Sequence, residues 1–598
     1  MNSQPTIAQP RWNRLFAPAL ILLAAAVAVA PQLLRGPSCG HDFDFHLASW
    51  FDCTSSWRHG LLYPHWTPSA NFGAGEPRFV FYPPLTWMLG ATLGLLLPWQ
   101  FVPLAICFLL LAATGLATRA LARLVLDSAP ATLAGCAALF SGYALFTAYE
   151  RSAFAEFAGG FWIPLVLLYI LRERNPNAAL WQRALDGSTA PLALTVAGCW
   201  LSNPTVGVMA CYMLAAVALT LAVTSRSCAP LLRAAIGSLL GMGLVAAYLV
   251  PATWEQRWVD ILQVTRDPGQ TLENNWLFAV HAAPSLADHD FVLRQASILA
   301  VGMIAVALAG LLVTWLRGRL PADRRLWLPL ALIPIAVLLL QFPLSRPVWN
   351  LPELRFLQFP WRWLLVLEAP MAIFFASAVW PANSAQRWRR IAVGCACITI
   401  FLAMTACADN FFFQPCDDQD SVPGMLDAYR SGHGFIGTDE YEPIDSDNSL
   451  IPSGLPAACL VAAPSTQLGV LPSDADPDNP IRLWNADQNS CLATLNWQHD
   501  LPEHKRLHAV APHSGFLVLR LLSFPAWQIK LNGQPVIELP HRDDGLIAVP
   551  VHQGPVDLAV DWTTTPDILA GRWLSALVVL LLAVLCLLER KLRRSRLS

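Results

Sequence analysis

About twelve apolar runs reach, or nearly reach, the length of a membrane crossing in this 598-residue chain. They lie at 15–34, 100–122, 131–148, 157–171, 188–203, 205–224, 232–251, 293–316, 325–341, 361–380, 390–407 and 571–588. A bilayer core of roughly 30 Å takes about 20 apolar residues as a helix, and inside it every backbone amide must find its partner within its own segment. A polytopic α-helical membrane protein is therefore the expected fold. Only 13% of the residues are charged, against about 25% in soluble domains, which excludes the soluble classes. A further run at 84–98 opens on Pro83-Pro84 and closes on Pro98-Trp99, so it reads as an interfacial helix.

Charge sets the orientation, because cytoplasmic loops retain Arg and Lys. With 84–98 kept out of the membrane, alternate loops carry Arg11 and Arg14, Arg119 and Arg123, Arg172, Arg174 and Arg183, Arg226 and Arg233, then Arg317, Arg319, Arg324 and Arg325. Arg387, Arg389 and Arg390 follow, and the tail ends Arg590-Lys591-Leu592-Arg593-Arg594. Both termini are placed in the cytoplasm. No small-residue cleavage site follows the first run, which reads as a retained anchor. The net charge of −2 is silent about polyanionic partners; membrane lipids are expected as partners and nucleic acid is not.

The outer side then holds the long loops, first 35–99 and last 408–570. The last loop has alternating stretches such as Phe516–Leu522, and Asn532-Gly533 between two short apolar runs is a hairpin signal. This predicts three parts: a transmembrane domain over 1–407, an extracytoplasmic β-sandwich domain over 408–570, and a last helix with a basic tail over 571–598. Of fourteen cysteines, three pairs fall at or beyond the outer face: Cys39 and Cys53, Cys407 and Cys416, Cys459 and Cys491. These are disulfide candidates of open connectivity, with Cys39–Cys53 and Cys459–Cys491 the expected bonds.

Gly40-His41-Asp42-Phe43-Asp44-Phe45-His46 follows the first run. If the loop begins helically, Asp42 and His46 share a face. Asp42 can then serve as a general base or ligate a divalent cation, and His46 can orient it. Asp44 points elsewhere. Aromatic residues around Tyr82 suit an interfacial loop, and the glycines of Asn71–Gly75 would let a ligand approach closely. The second outer turn, Glu150-Arg151-Ser152 through Glu156, puts three charges at one helix junction, where they are expected to face an interior cavity. Arg355 and Arg362 break the inside bias and are candidates for holding phosphate, with interfacial snorkelling the alternative.

With Gly40-His41-Asp42, Leu62-Tyr63-Pro64-His65-Trp66, Phe81-Tyr82-Pro83-Pro84-Leu85, Glu150-Arg151-Ser152, Leu201-Ser202-Asn203-Pro204, Phe359-Pro360-Trp361-Arg362 and Phe524-Pro525-Ala526-Trp527 in order along the chain, the sequence resembles the bacterial membrane proteins labelled 6-pyruvoyl-tetrahydropterin synthase-related. It is similar to the YfhO-like proteins and to the wider GT-C glycosyltransferase superfamily. The resemblance implies a GT-C-like transmembrane fold, a polyprenyl-phosphate sugar donor, and an envelope glycan or lipid acceptor at the outer face of the bacterial inner membrane. It also implies Asp42 as catalytic base, supported by Glu156; the residues themselves add His46 to hold Asp42, and Asp44, Tyr82, Arg151, Arg355 and Arg362 around the substrate. A divalent cation, if used, would fall to Asp42 and Glu156. A lipid-glycan flippase and a non-catalytic envelope assembly factor are the alternatives.

Overall fold

The computed structural model describes residues 11–172, 179–185, 187–381, 387–444, 446–461 and 491–594. The last four residues of the basic tail fall outside them.

Every expected apolar run becomes helix, but length on paper is not length in the fold. Among the described residues, eight helices are long and apolar enough to cross a membrane, or ten if two bent pairs each count as one span. Of the about twelve runs expected, four behave differently in the fold. Ala229–Leu244 with Ala246–Trp258 and Arg324–Leu340 with Pro343–Trp349 turn by 75° and 103° at their breaks. Leu15–Ala28 and Thr189–Ser202 are shorter apolar helices. The stretch at 84–98 forms the short helix Pro84–Leu96, which packs on the helix Phe43–Arg58. The molecule is a multi-pass membrane protein.

Local chemistry sets the helix ends and contacts. Asn203 caps Pro204–Ser225 by accepting the Thr205 amide at 2.8 Å, with proline in the first turn. Gly115 and Gly135 let two spans touch: a Cβ added at Gly135 would lie 2.6 Å from the Gly115 carbonyl oxygen. Arg317 and Arg319 close one end of the bundle on the carbonyls of Ala378, Ser377 and Trp380.

The other end carries, among the described residues, nine strands: β1 (Ala458–Val461), β2 (Ala493–Leu495), β3 (His499–Leu501), β4 (His504–Ala511), β5 (Gly515–Leu522), β6 (Trp527–Leu531), β7 (Gln534–Pro535), β8 (Leu546–Val551) and β9 (Gly554–Trp562). They form a four-stranded sheet, β2-β1-β5-β8, and a five-stranded sheet, β3-β4-β9-β6-β7, packed on a shared core. β9 buries alternate residues, as a strand with one wet face must. Asn532 and Gly533, with φ of 51° and 77°, close the β6–β7 hairpin between Leu531 and Gln534. Positive φ at both positions is what a two-residue type I′ turn requires.

The sandwich does not stand alone. Trp66 of the first loop, fully buried, packs against Phe524, Trp527 and Trp562. The helix Arg387–Phe411 runs past 407, and the segment between it and β1 returns across the first loop before Tyr441, Ile451 and Leu455 enter the core of the sandwich. Within it the Phe435 amide donates to the Ser69 carbonyl, and Thr438 donates to the buried Glu76, which also pairs with Arg78 at 2.6 Å. A Cβ on Gly437 would meet Asn71 Oδ1 at 1.8 Å. Asn71–Gly75 is therefore covered by protein, not open to a ligand.

Candidate active site

Three segments are tied together at the strand-bearing end of the bundle. The Asp42 amide donates to the Arg151 carbonyl at 2.9 Å, the Gly40 amide to Ser152 Oγ at 3.1 Å, and Ser152 Oγ to the Ser38 carbonyl at 2.8 Å. Cys39 is bonded to Cys416, and Gln414 donates to Glu150 Oε2 at 2.7 Å. Gly40 admits this closeness, since a Cβ there would lie 2.3 Å from the Glu150 carbonyl oxygen.

Beneath the tie lies a buried charge cluster. Glu156 takes Arg151 Nη1 at 2.7 Å and Arg362 Nε at 3.2 Å on one oxygen, and the Tyr143 hydroxyl on the other. Arg151 also stacks over Trp361, and Arg362 over Phe359. Burial pushes the Arg151 guanidinium down, and the Glu156 charge more than reverses this, so it stays cationic. Two guanidinium groups thus share the one carboxylate in contact with them.

The Asp42 carboxylate is partly exposed and takes no hydrogen bond or ion pair among the described residues. Its charge bears on Tyr82, Arg151 and Arg362. Burial, then the Asp42 and Glu156 charges, raise the Tyr82 phenol and hold it neutral. Beside Asp42 in sequence, Gly40, His41, Phe43 and Asp44 line a polar cavity of about 480 Å³ with Glu150 and Asp420.

Other expected residues fall elsewhere. His46 does not orient Asp42. Asp42 precedes the helix Phe43–Arg58 with φ −101° and ψ 10°, so the helical i, i+4 rule does not reach its side chain. His46 lies buried among Trp50, Tyr82 and Phe154, its Nε2 has no partner, and burial lowers its pKa to about 3. Arg355 is exposed and bonded to Asn350 at 3.1 Å, away from the cluster. Cys53 is a free buried thiol, and Cys39 bonds Cys416 instead because the returning segment, not the loop's own helix, lies against residue 39. Cys407 is free, and Cys459 is bonded to Cys491. Glu156 has both oxygens engaged by Arg151, Arg362 and Tyr143. Sequence reading passed over Tyr143, which looks like an ordinary core aromatic, and gave Trp361 and Ser152 no role beyond their motifs.

No protein-family model matches the chain, and no curated protein matches it. Solved structures to which it is similar include the arabinofuranosyltransferase AftD from Mycobacteria, at 18% identity and a TM-score of 0.40 over 68% of this chain and 27% of that one. The Archaeoglobus fulgidus oligosaccharyltransferase gives 12% and 0.43, over 73% and 62%. The arabinosyltransferase EmbB from Mycobacterium smegmatis gives 12% and 0.32, over 95% and 64%. The chain spans 27% of the first and 62% of the second of these proteins. Likenesses this weak fix neither family nor activity.

Proposed function

We propose that this protein is a GT-C-type glycosyltransferase that moves a sugar from a polyprenyl-phosphate donor to an envelope glycan or lipid acceptor. The reaction takes place on the outer face of the bacterial inner membrane, with both termini in the cytoplasm. One observation carries the reading: an unpartnered carboxylate, Asp42, stands beside two arginines that share a single acid. Once Asp42 takes up the acceptor's proton, the two buried arginines face Glu156 alone, and the departing phosphate restores the balance.

In this reading Asp42 takes the proton of the acceptor hydroxyl as its oxygen attacks the anomeric carbon of the sugar. The bond to the lipid phosphate breaks, and the departing anion is held by Arg362 and Arg151. Glu156 and Tyr143 position the arginines. Two surfaces around the site support the assignment of substrates. An apolar groove of about 510 Å³ runs between Pro204–Ser225 and Arg324–Leu340 and reaches Trp363, next to Arg362, which suits a polyprenyl tail. The polar cavity lined by His41, Asp44, Glu150 and Asp420 suits a hydroxyl-rich acceptor.

Titration of the purified protein with a polyprenyl phosphate tests the donor half. Arg362→Ala is expected to weaken binding by about tenfold or more, the size of a charge-assisted contact of about 1.5–3 kcal/mol. Equal affinity in the variant and the parent would remove the phosphate from this site.

A further inference from the structure

A second group of ligating side chains lies at the start of the span Pro284–Leu316. His281 precedes the helix, and His289 and Asp290 stand in its first turn. One ligand atom from each of the three lies within 4.8 Å of the others. His281 Nδ1 is 2.6 Å from Asp290 Oδ1, the His281 amide donates to Asp290 Oδ2 at 2.7 Å, and the two imidazoles are 5.9 Å apart.

An ion pair that pins the loop to the helix accounts for His281 and Asp290. It leaves His289 unexplained. Its Nε2 is shut off from solvent and has no hydrogen-bond partner among the described residues, and polar atoms so placed are ordinarily satisfied. An unpartnered imidazole nitrogen beside a second imidazole and a carboxylate matches the donor set of a transition-metal site.

We propose that His281, His289 and Asp290 bind a divalent transition cation, with Zn²⁺ as the first choice. Nitrogen donors favour zinc and its transition-metal neighbours over Mg²⁺ and Ca²⁺, which take oxygen. Three protein ligands leave a position open on tetrahedral zinc. The site adjoins the polar cavity: Asp288, Phe291 and Val292 of the same helix line it opposite His41 and Asp44. The bound ion clips the 252–286 loop to the rim of that cavity. The assignment is independent of glycosyl transfer and of Asp42.

The test uses the full chain, purified in detergent with any affinity tag removed, stripped with chelator and titrated with Zn²⁺ by calorimetry. The parent is expected to bind one ion, and His289→Gln and Asp290→Asn to bind at least about 100-fold more weakly, as loss of a direct ligand should exceed the 10–100-fold cost of losing an outer partner. Asp290 also accepts the His281 amide, so its variant can disturb the loop. His289→Gln has no Nε2 contact to lose in the metal-free chain and reports on the metal alone. No saturable Zn²⁺ binding by the parent, or equal affinity in the parent and His289→Gln, overturns the proposal.

Discussion

The Arg151 carbonyl accepts a 2.9 Å hydrogen bond from the Asp42 amide, so the acid of the first loop is carried on the backbone of the second. The same arginine sends its side chain down to Glu156. Backbone geometry and charge compensation meet in one residue, and perturbing either should reach Asp42 without touching it.

Gly40→Ala tests the backbone half. The added Cβ meets the Glu150 carbonyl at 2.3 Å, and neither backbone can yield without moving residue 42. A displacement of about 1 Å at a reacting group can cost about 10²-fold in rate. Transfer is expected to fall by about that factor while the variant still inserts into the membrane, read by turnover and by fractionation.

Glu156→Gln tests the charge half. It leaves Arg151 and Arg362 buried against each other with no acid between them. Removing one partner of a buried ion pair costs about 3–5 kcal/mol, so thermal inactivation in detergent should come at a clearly lower temperature. An unchanged profile would mean that solvent already screens the arginines.

The connectivity of the outer thiols is directly readable. Non-reduced peptides should join Cys39 to Cys416 across 377 residues of sequence, and Cys53 should alkylate only after denaturation. Cys416→Ser is expected to lose stability by roughly 2–4 kcal/mol, the usual contribution of a disulfide, and to loosen the tie that holds Asp42.

Asp52 gives the fold a pH dependence. It is 1% exposed, and burial lifts its carboxyl from 3.8 to about 7 against the opposing hydrogen bonds of Ser69. An acid whose folded pKa is raised takes up a proton on folding between its ordinary and its raised value. Stability from this group is therefore full below about pH 4, falls as pH rises to about 7, and is level above that. At about 1.4 kcal/mol per unit the slope is measurable by denaturant titration at several pH values, and Asp52→Asn should flatten it. A slope identical in the variant would assign it to other acids, Glu440 first, whose carboxyl burial also raises to about 7.

Particular residues show how far the sequence could be read. Charges at a helix junction are costly in lipid, so Glu150, Arg151 and Glu156 announced an enclosed cavity, and the structure brings Arg151 and Glu156 together with Arg362. The hairpin at Asn532-Gly533 was legible because few residues tolerate positive φ twice in a row. Apolar length predicts that a run is helical but carries no record of the bends after Leu244 and Leu340. The His46 expectation failed because periodicity holds inside a helix, and Asp42 sits just before one. The pairing of Cys416 with Cys39 and the grouping of His281 with His289 and Asp290 were illegible because spacing along the chain does not report contacts made across it.

The central claim is that Asp42 is the base, and Asp42→Asn tests it most directly. A general base contributes about 10²–10⁴-fold, and a partly exposed carboxylate with no partner contributes little packing. The purified variant, given a polyprenyl-phosphate sugar and a glycan acceptor, should transfer at least about 10²-fold more slowly than the parent. Its affinity for polyprenyl phosphate and its Cys39–Cys416 bond should be unchanged. Transfer at the parental rate would contradict the account, and the assembly-factor reading would then replace it.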